Sequence, residues 1–389
     1  MLIDLEAEEN KPVRAFLVGK AEPRNTTLAE LRGLVDTLGL EIAGEYILTN
    51  IKPHPRYGIG TGTAEAIAAQ ASEAQADCII FDFEISPTHQ RNWEKLASVP
   101  VFDRHEVILR IFAQRARTKE AVLQVELAKL AYSLPRLAHT YGDMARQRGG
   151  SYGAKGAGET KLELDRRAVQ EKMHRIKKEL EKVRKNRATN RKKRDKAALP
   201  SCAIVGYTNA GKSSLLNALT GADVLVENKL FATLDPTTRR LVLDISTDAI
   251  LDDVPSETAV PAVLLTDTVG FIDGLPHNLV DAFKSTLEEA ALADLLLIVL
   301  DASDPAVTEQ YKTVLQVLKE INADSVPSLI LLNKTDLIPD EAHLLRLKQT
   351  FPDSIPISVK NKAGFTELKE AMYHRVISNI PEKHLNPSA

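Results

Sequence analysis

Apolar and polar positions change their period twice along the chain. Between Val13 and Ser86 short apolar runs alternate with amphipathic stretches. VRAFLVGK reads as a strand, TLAELRGLVDTLG as a helix closed by Gly39, and EIAGEYILT as a second strand. GTAEAIAAQASEAQA is a helix of strong formers, and DCIIFDFEIS is a buried strand. This alternation predicts a small α/β domain with a largely parallel sheet over residues 1–111. The period then becomes helical. Leu109, Phe112, Ala116, Leu123, Leu127, Leu130, Leu134, Leu137, Tyr141 and Met144 fall three, four or seven apart, with Lys119 inside the one long gap. They predict a single long helix that Pro135 should kink or deprive of one backbone hydrogen bond. Val169, Met173, Ile176, Leu180 and Val183 predict a second helix. Two such seams predict an antiparallel coiled-coil arm over 112–199, its tip formed by the glycine-rich RQRGGSYGAKGAGETK. Beyond Pro200, strands and amphipathic helices alternate to residue 389, as in a doubly wound α/β domain.

Charge sharpens this division. Residues 1–111 hold 11 Lys+Arg against 17 Asp+Glu, residues 112–199 hold 24 against 10, and residues 200–389 hold 15 against 26. A basic middle between acidic ends points to a polyanionic partner for the arm. Cys78 and Cys202 lie far apart in apolar runs, which predicts buried thiols in a reducing compartment. No apolar run is long enough to span a membrane, and MLIDLEAEENK has no secretory character, so a cytoplasmic protein is expected.

The chemistry is concentrated after Pro200. Gly206, Tyr207, Thr208, Asn209, Ala210, Gly211, Lys212 and Ser213 fit the phosphate-loop spacing, with a strand before and a helix after. Glycines let backbone amides approach phosphates, and the helix N-terminus favours negative charge. Lys212 should bridge the terminal phosphates, and Ser213 should ligate Mg2+. Asn333, Lys334, Thr335 and Asp336 follow an apolar strand. A carboxylate there accepts from the ring N–H and exocyclic amine of guanine, a donor pair that adenine lacks. Ser358, Val359 and Lys360 can offer a backbone N–H to the guanine carbonyl. Between these motifs, Asp267 is placed to hold the metal through water and the Gly270 amide to sense the γ-phosphate, with Thr268 and Val269 between them. A first switch in ENKLFATLDPTTRR offers Thr233, Thr237 and Thr238, of which Thr233 is the favoured metal ligand, flanked by Phe231, Ala232, Leu234 and Asp235. GIGTG at Gly58–Gly62 lacks the full three-glycine spacing of a dinucleotide loop. A second nucleotide site there would make the chain a nucleotide-driven RNA remodeller, and no tight site is expected.

With these motifs in hand, the chain resembles the HflX-type GTPases. The resemblance rests on SPTHQRNWEK, IFAQRARTKEAVLQVELAKLAY, GAGETKLELDRR, FATLDPTTRR and DTVGFIDGLPHNLVDAF, and covers nearly the whole length. It implies a GTPase that converts GTP to GDP and phosphate, binds the large ribosomal subunit and its rRNA as a monomer, and splits stalled or idle ribosomes under stress. It also places Thr233 on Mg2+. Some members carry a further C-terminal domain, whereas this chain stops soon after FTELKEAMYHRVIS. The alternative is an RNA-binding module in which hydrolysis is incidental to partner release.

One position stands out. A water-orienting glutamine usually follows the glycine of the second switch, but here that position is Phe271. Intrinsic turnover is therefore expected near the order of 10⁻³ s⁻¹ of unassisted switch GTPases. Acceleration has to come from a partner, a cation, or both. Asn209 is either a K+ ligand beside the phosphates or a turn residue.

Overall fold

A computed structural model describes residues 12–21, 28–49, 52–140, 155–195, 199–221, 230–231, 233–243, 262–274 and 287–377, with backbone alone at 138–140, 155–162 and 187–195. Met1–Glu181 forms the bulk of one compact unit, and Lys182–Leu275 with Phe283–Ala389 forms a second.

In the first unit, β1 (Arg14–Lys20), β2 (Glu41–Leu48), β3 (Cys78–Phe81) and β4 (Val101–Asp103) form an all-parallel sheet of order β2-β1-β3-β4. Crossovers run through α1 (Ala29–Thr37), α2 (Thr61–Glu73) and α3 (Pro87–Ala97). β3 is shorter than its apolar run predicts. It stops where Asp82 turns to pair with Arg104. The SPTHQRNWEK string is largely α3: the Ser86 side chain caps it by accepting from the His89 N–H, and Pro87 opens its first turn. Trp93, fully buried on this helix, donates its indole N–H to the Tyr57 carbonyl. In GIGTG, Gly58 sits at φ +77, where a Cβ would lie 3.1 Å from the His89 ring, so the left-handed backbone and tight packing account for that glycine without a nucleotide.

The long helix predicted from Leu109 to Met144 is two helices. α4 (Arg104–Arg115) ends at Ala116, whose backbone is extended. α5 (Lys119–Thr140) then restarts, with the Thr118 hydroxyl accepting from the Ala121 N–H. Tyr141 and Met144 lie outside the described residues. α5 continues through Pro135, which is exposed. The deepest side chains of α5 are not the predicted leucines, which are half-buried, but Ala121, Gln124, Val125 and Ala128. Ala121, Val125, Ala128, Tyr132 and Arg136 form one helical stripe, and the last two reach Asp103 at the end of β4. α5 therefore serves two neighbours, and the root of the arm is integral to the first unit.

The second long helix, α6 (Lys155–Asp195), starts inside the connector read as a glycine loop, so Gly156 and Gly158 are helical. Its predicted seam is its buried face: Ile176 and Leu180 are buried, and Val169, Met173 and Val183 are half-buried. Lys119 pairs with Glu179 and Lys172 with Glu126, which sets α5 and α6 antiparallel. These exposed pairs report register and contribute little energy.

The second unit has a six-stranded sheet of order β10-β9-β8-β5-β7-β6. Its strands are β5 (Ser201–Gly206), β6 (Thr237–Val242), β7 (Ala262–Asp267), β8 (Leu295–Asp301), β9 (Ser328–Asn333) and β10 (Ile355–Pro356). All pairs are parallel except β6, an antiparallel edge strand beside β7. α7 (Lys212–Thr220), α8 (Val307–Glu320), α9 (Glu341–Thr350) and α10 (Phe365–Ile377) complete the unit. Cys78 and Cys202 are free and buried, and burial pushes both thiols up to about 12. No helix among the described residues is long and apolar enough to cross a membrane.

Candidate GTP site

The site lies at the carboxyl ends of β5, β7, β8 and β9, where an open parallel sheet presents its loops. The loop from β5 to α7 needs its glycines. Gly206 has φ +151 and a Cβ there would strike the Val299 carbonyl oxygen at 2.2 Å, while Gly211 has φ +97 and packs on the Asn333 amide. Asn209 takes a left-handed backbone, φ +59, with its side chain exposed. The Thr208 hydroxyl is buried without a hydrogen-bond partner, a group that a phosphate oxygen can satisfy. Lys212 is buried and donates to the Tyr207 carbonyl at 2.7 Å. Burial pushes its ammonium down to about 8, partly offset by Asp267.

Three oxygens converge below the loop. The Ser213 hydroxyl lies 2.7 Å from that of Thr233 and donates to Asp267 Oδ2 at 2.6 Å, and Thr233 donates to the same oxygen at 2.9 Å. Asp267 is fully buried, its carboxyl is raised by desolvation, and Oδ1 has no hydrogen-bond partner. An orphaned carboxylate oxygen beside two hydroxyls is a hard-oxygen set with a single formal charge, which suits Mg2+ carried in with phosphates. Of the three candidate threonines, Thr233 alone joins this set. Thr237 and Thr238 are in β6, where Thr238 bonds across to Thr266.

Other predicted residues do structural work. Phe231, Leu234 and Val269 are buried, and the Thr268 hydroxyl donates to the Ile204 carbonyl. Their side chains turn into the protein, leaving backbone groups to face a nucleotide. Asp235 is half-buried, and Ala232 lies outside the described residues. Gly270 packs where a Cβ would meet Lys212 Nζ at 2.9 Å and Thr208 Cα at 3.0 Å, so the second switch touches the phosphate loop directly. Phe271 is 1% exposed; its N–H donates to the Gly206 carbonyl and its carbonyl accepts from the Thr208 N–H. Residue 271 is thus a core side chain on a backbone already paired with the loop.

At the base-recognition end, Asn333 is a brace. Its amide donates to the Ala210 carbonyl at 2.8 Å and its oxygen accepts from the Val359 N–H at 3.2 Å, joining the phosphate loop to the segment after β10. Asp336 accepts from the Ser358 hydroxyl at 2.6 Å, and the Thr335 hydroxyl donates to the Ile357 carbonyl. Lys334, at φ +62, is tied to Asp301 at 2.6 Å, and Lys360 is exposed. Asp301 was not anticipated. It closes the apolar run LLLIVLD, and a carboxylate ending a buried strand on the face that carries the phosphate loop was its available signal.

Three family models match in series: a GTP-binding GTPase N-terminal region over 25–113, a GTP-binding GTPase middle region over 115–194, and a 50S ribosome-binding GTPase over 201–334. The GTPase HflX of Akkermansia muciniphila is 44% identical over 384 residues, covering 94% of this chain and 85% of that protein. The chain belongs to the HflX GTPase family. The Escherichia coli K12 HflX is 42% identical over 359 residues, covering 92% and 81% respectively. Among solved structures, a complex of the protein SsGBP with GDP aligns over 94% of this chain and 99% of that one, at 25% identity and a TM-score of 0.50. Membership in the HflX family makes the chain a GTPase.

Proposed function

We propose that this HflX GTPase binds the large ribosomal subunit through its arm in the GTP state and separates stalled or idle ribosomes, notably under stress. One observation carries the reading beyond the family: the exposed surface of α6. Arg166, Arg167, Lys172, Arg175, Lys177, Lys178, Lys182, Arg184 and Lys185 are all exposed, while Ile176 and Leu180 are buried. A stiff helix displaying this density of positive charge neutralises phosphates along an RNA backbone.

The GTP cycle supplies the control. In this reading, Lys212 reaches the β- and γ-phosphates, the Gly270 N–H meets the γ-phosphate, and Asp336 recognises guanine. Ser213 and Thr233 would hold Mg2+, with Asp267 behind them, and that ion would neutralise charge developing on the phosphates. Loss of the γ-phosphate releases Thr233 and Gly270, and with them both switches. Since the Phe271 side chain is in the core, the attacking water is ordered by something else. The ribosome is the proposed source, aided by K+ at Asn209, whose exposed position beside the loop leaves it accessible to an ion. Replacing K+ with Na+ then slows turnover.

Sedimentation of whole ribosomes with this protein and GTP, a non-hydrolysable analogue or GDP tests the proposal. Separated subunits are expected with GTP and the analogue, and intact ribosomes with GDP. Intact ribosomes under all three conditions would refute splitting.

A further inference from the structure

Tyr207 occupies the second position of the phosphate loop, yet its hydroxyl is directed at the second switch. It accepts from the Asp273 N–H at 2.8 Å, and Asp273 in turn caps the Gly274 N–H with its own carboxylate at 2.9 Å. The carbonyl of the same residue receives the Lys212 ammonium. Tyr207 therefore touches the lysine that answers to phosphate and the backbone that follows Phe271. The flanking contacts make this connection stiff. Phe271 and the loop exchange two backbone hydrogen bonds, a short parallel bridge between residues 207 and 271. The ring itself is 8% exposed, so it has little freedom to swing.

We propose that the Tyr207 hydroxyl is a positioning group for GTP hydrolysis: it pins the second switch at Asp273, fixing that segment to the same residue that holds Lys212. The lysine has three N–H donors, so it can keep the Tyr207 carbonyl while meeting terminal phosphates, and residue 207 then holds the phosphate-binding lysine by its carbonyl and the second switch by its phenol. With Phe271 unable to orient water, the placement of the Gly270–Gly274 backbone sets how well the γ-phosphate is met. This inference uses intrinsic hydrolysis and is independent of the ribosome reading.

Two variants remove the same hydrogen bond from opposite ends. Tyr207→Phe deletes the acceptor without changing shape, and Asp273→Pro deletes the donor at an exposed residue. Each is predicted to bind fluorescent GDP within about twofold of wild type while intrinsic single-turnover hydrolysis falls about three- to tenfold, the range of one hydrogen bond. Asp273→Pro also loses the carboxylate's bond to the Gly274 N–H, and the double variant should be no slower than the slower single one, because the two variants share the Tyr207–Asp273 bond. In Tyr207→Phe, amide hydrogen exchange at Asp273 should accelerate. Wild-type hydrolysis in either variant, additive losses in the double variant, or unchanged exchange would overturn the proposal. So would a loss of GDP affinity larger than the loss of rate, since Tyr207 would then belong to the nucleotide cradle. Asp273→Pro keeps the test open if the phenylalanine variant fails to fold.

Discussion

Removing the Asp103 carboxylate should loosen the root of the arm, and the single tryptophan reports it. Asp103 is fully buried and accepts from four donors: the Glu106 N–H at 3.0 Å, the Tyr132 hydroxyl at 2.9 Å, the Ile85 N–H at 3.4 Å and Arg136 Nη2 at 3.2 Å. Asp103→Ala removes the cap of α4, worth about 1 kcal/mol. It also leaves the half-buried Arg136 without its carboxylate, and breaking a fully buried pair costs about 3–5 kcal/mol. Arg136 keeps bonds to Gln90 Oε1 and to the Ile85 and Tyr132 carbonyls and stacks on the Tyr132 ring, which places the total near the low end, at about 3–4 kcal/mol. Trp93 is the only tryptophan, is fully buried, and lies in the first unit. Its fluorescence in urea therefore follows that unit alone. With a slope of about 2 kcal/mol per molar urea, the midpoint should fall by about 1.5–2 M. GDP affinity should not change. A shift worth less than about 1 kcal/mol would mean that Asp103 does not hold the arm root.

Three further outcomes follow from the second unit and the arm. Asp336→Asn swaps an acceptor for a donor at the guanine edge and should weaken GTP binding about tenfold or more without unfolding the chain; unchanged affinity would misplace the base pocket. Because burial lowers Lys212 to about 8 and bound phosphate favours its charged form, GDP binding takes up a proton at higher pH. Affinity should be flat below pH 8 and fall by at most about tenfold per unit above it, measured by titration at constant salt; a rising profile would contradict this. Replacing Gly149–Gly158 by a two-residue turn should leave GTP binding intact, abolish splitting, and remove most ribosome-stimulated hydrolysis, while wild-type splitting would reduce the arm to a spacer.

The candidate GTP site was legible because its parts are contiguous strings. A phosphate loop announces itself between an apolar strand and a helix, and NKTD follows a strand end, so local geometry carries the chemistry. Thr233 required a choice among three threonines that only the third dimension resolves: Thr237 and Thr238 are consumed by pairing with β7. The arm misled in one respect. The seam bridges Ala116–Thr118 through its one seven-residue gap, yet the helix breaks there, and the signal was a capping threonine followed by Glu120 in the new first turn. The face of α5 that packs on the first unit carries alanine, valine, tyrosine and arginine, and periodicity counts only some of these as core. Its anchor, Asp103, meets residues 18 to 33 positions away, and no sequence window contains such a network. Asn333 also braces two loops, bonding the Ala210 carbonyl and the Val359 N–H, contacts that lie more than 20 positions away and that no sequence window contains.

The central claim is that catalysis waits on the ribosome because Phe271 has been withdrawn into the core. Single-turnover GTP hydrolysis with and without purified large subunits, at saturating protein and fixed K+, tests this most directly. The account predicts slow hydrolysis alone and stimulation of at least an order of magnitude with large subunits, on the scale by which partners accelerate switch GTPases, about 10³–10⁵-fold when a catalytic group is supplied. Equal rates with and without large subunits would contradict it.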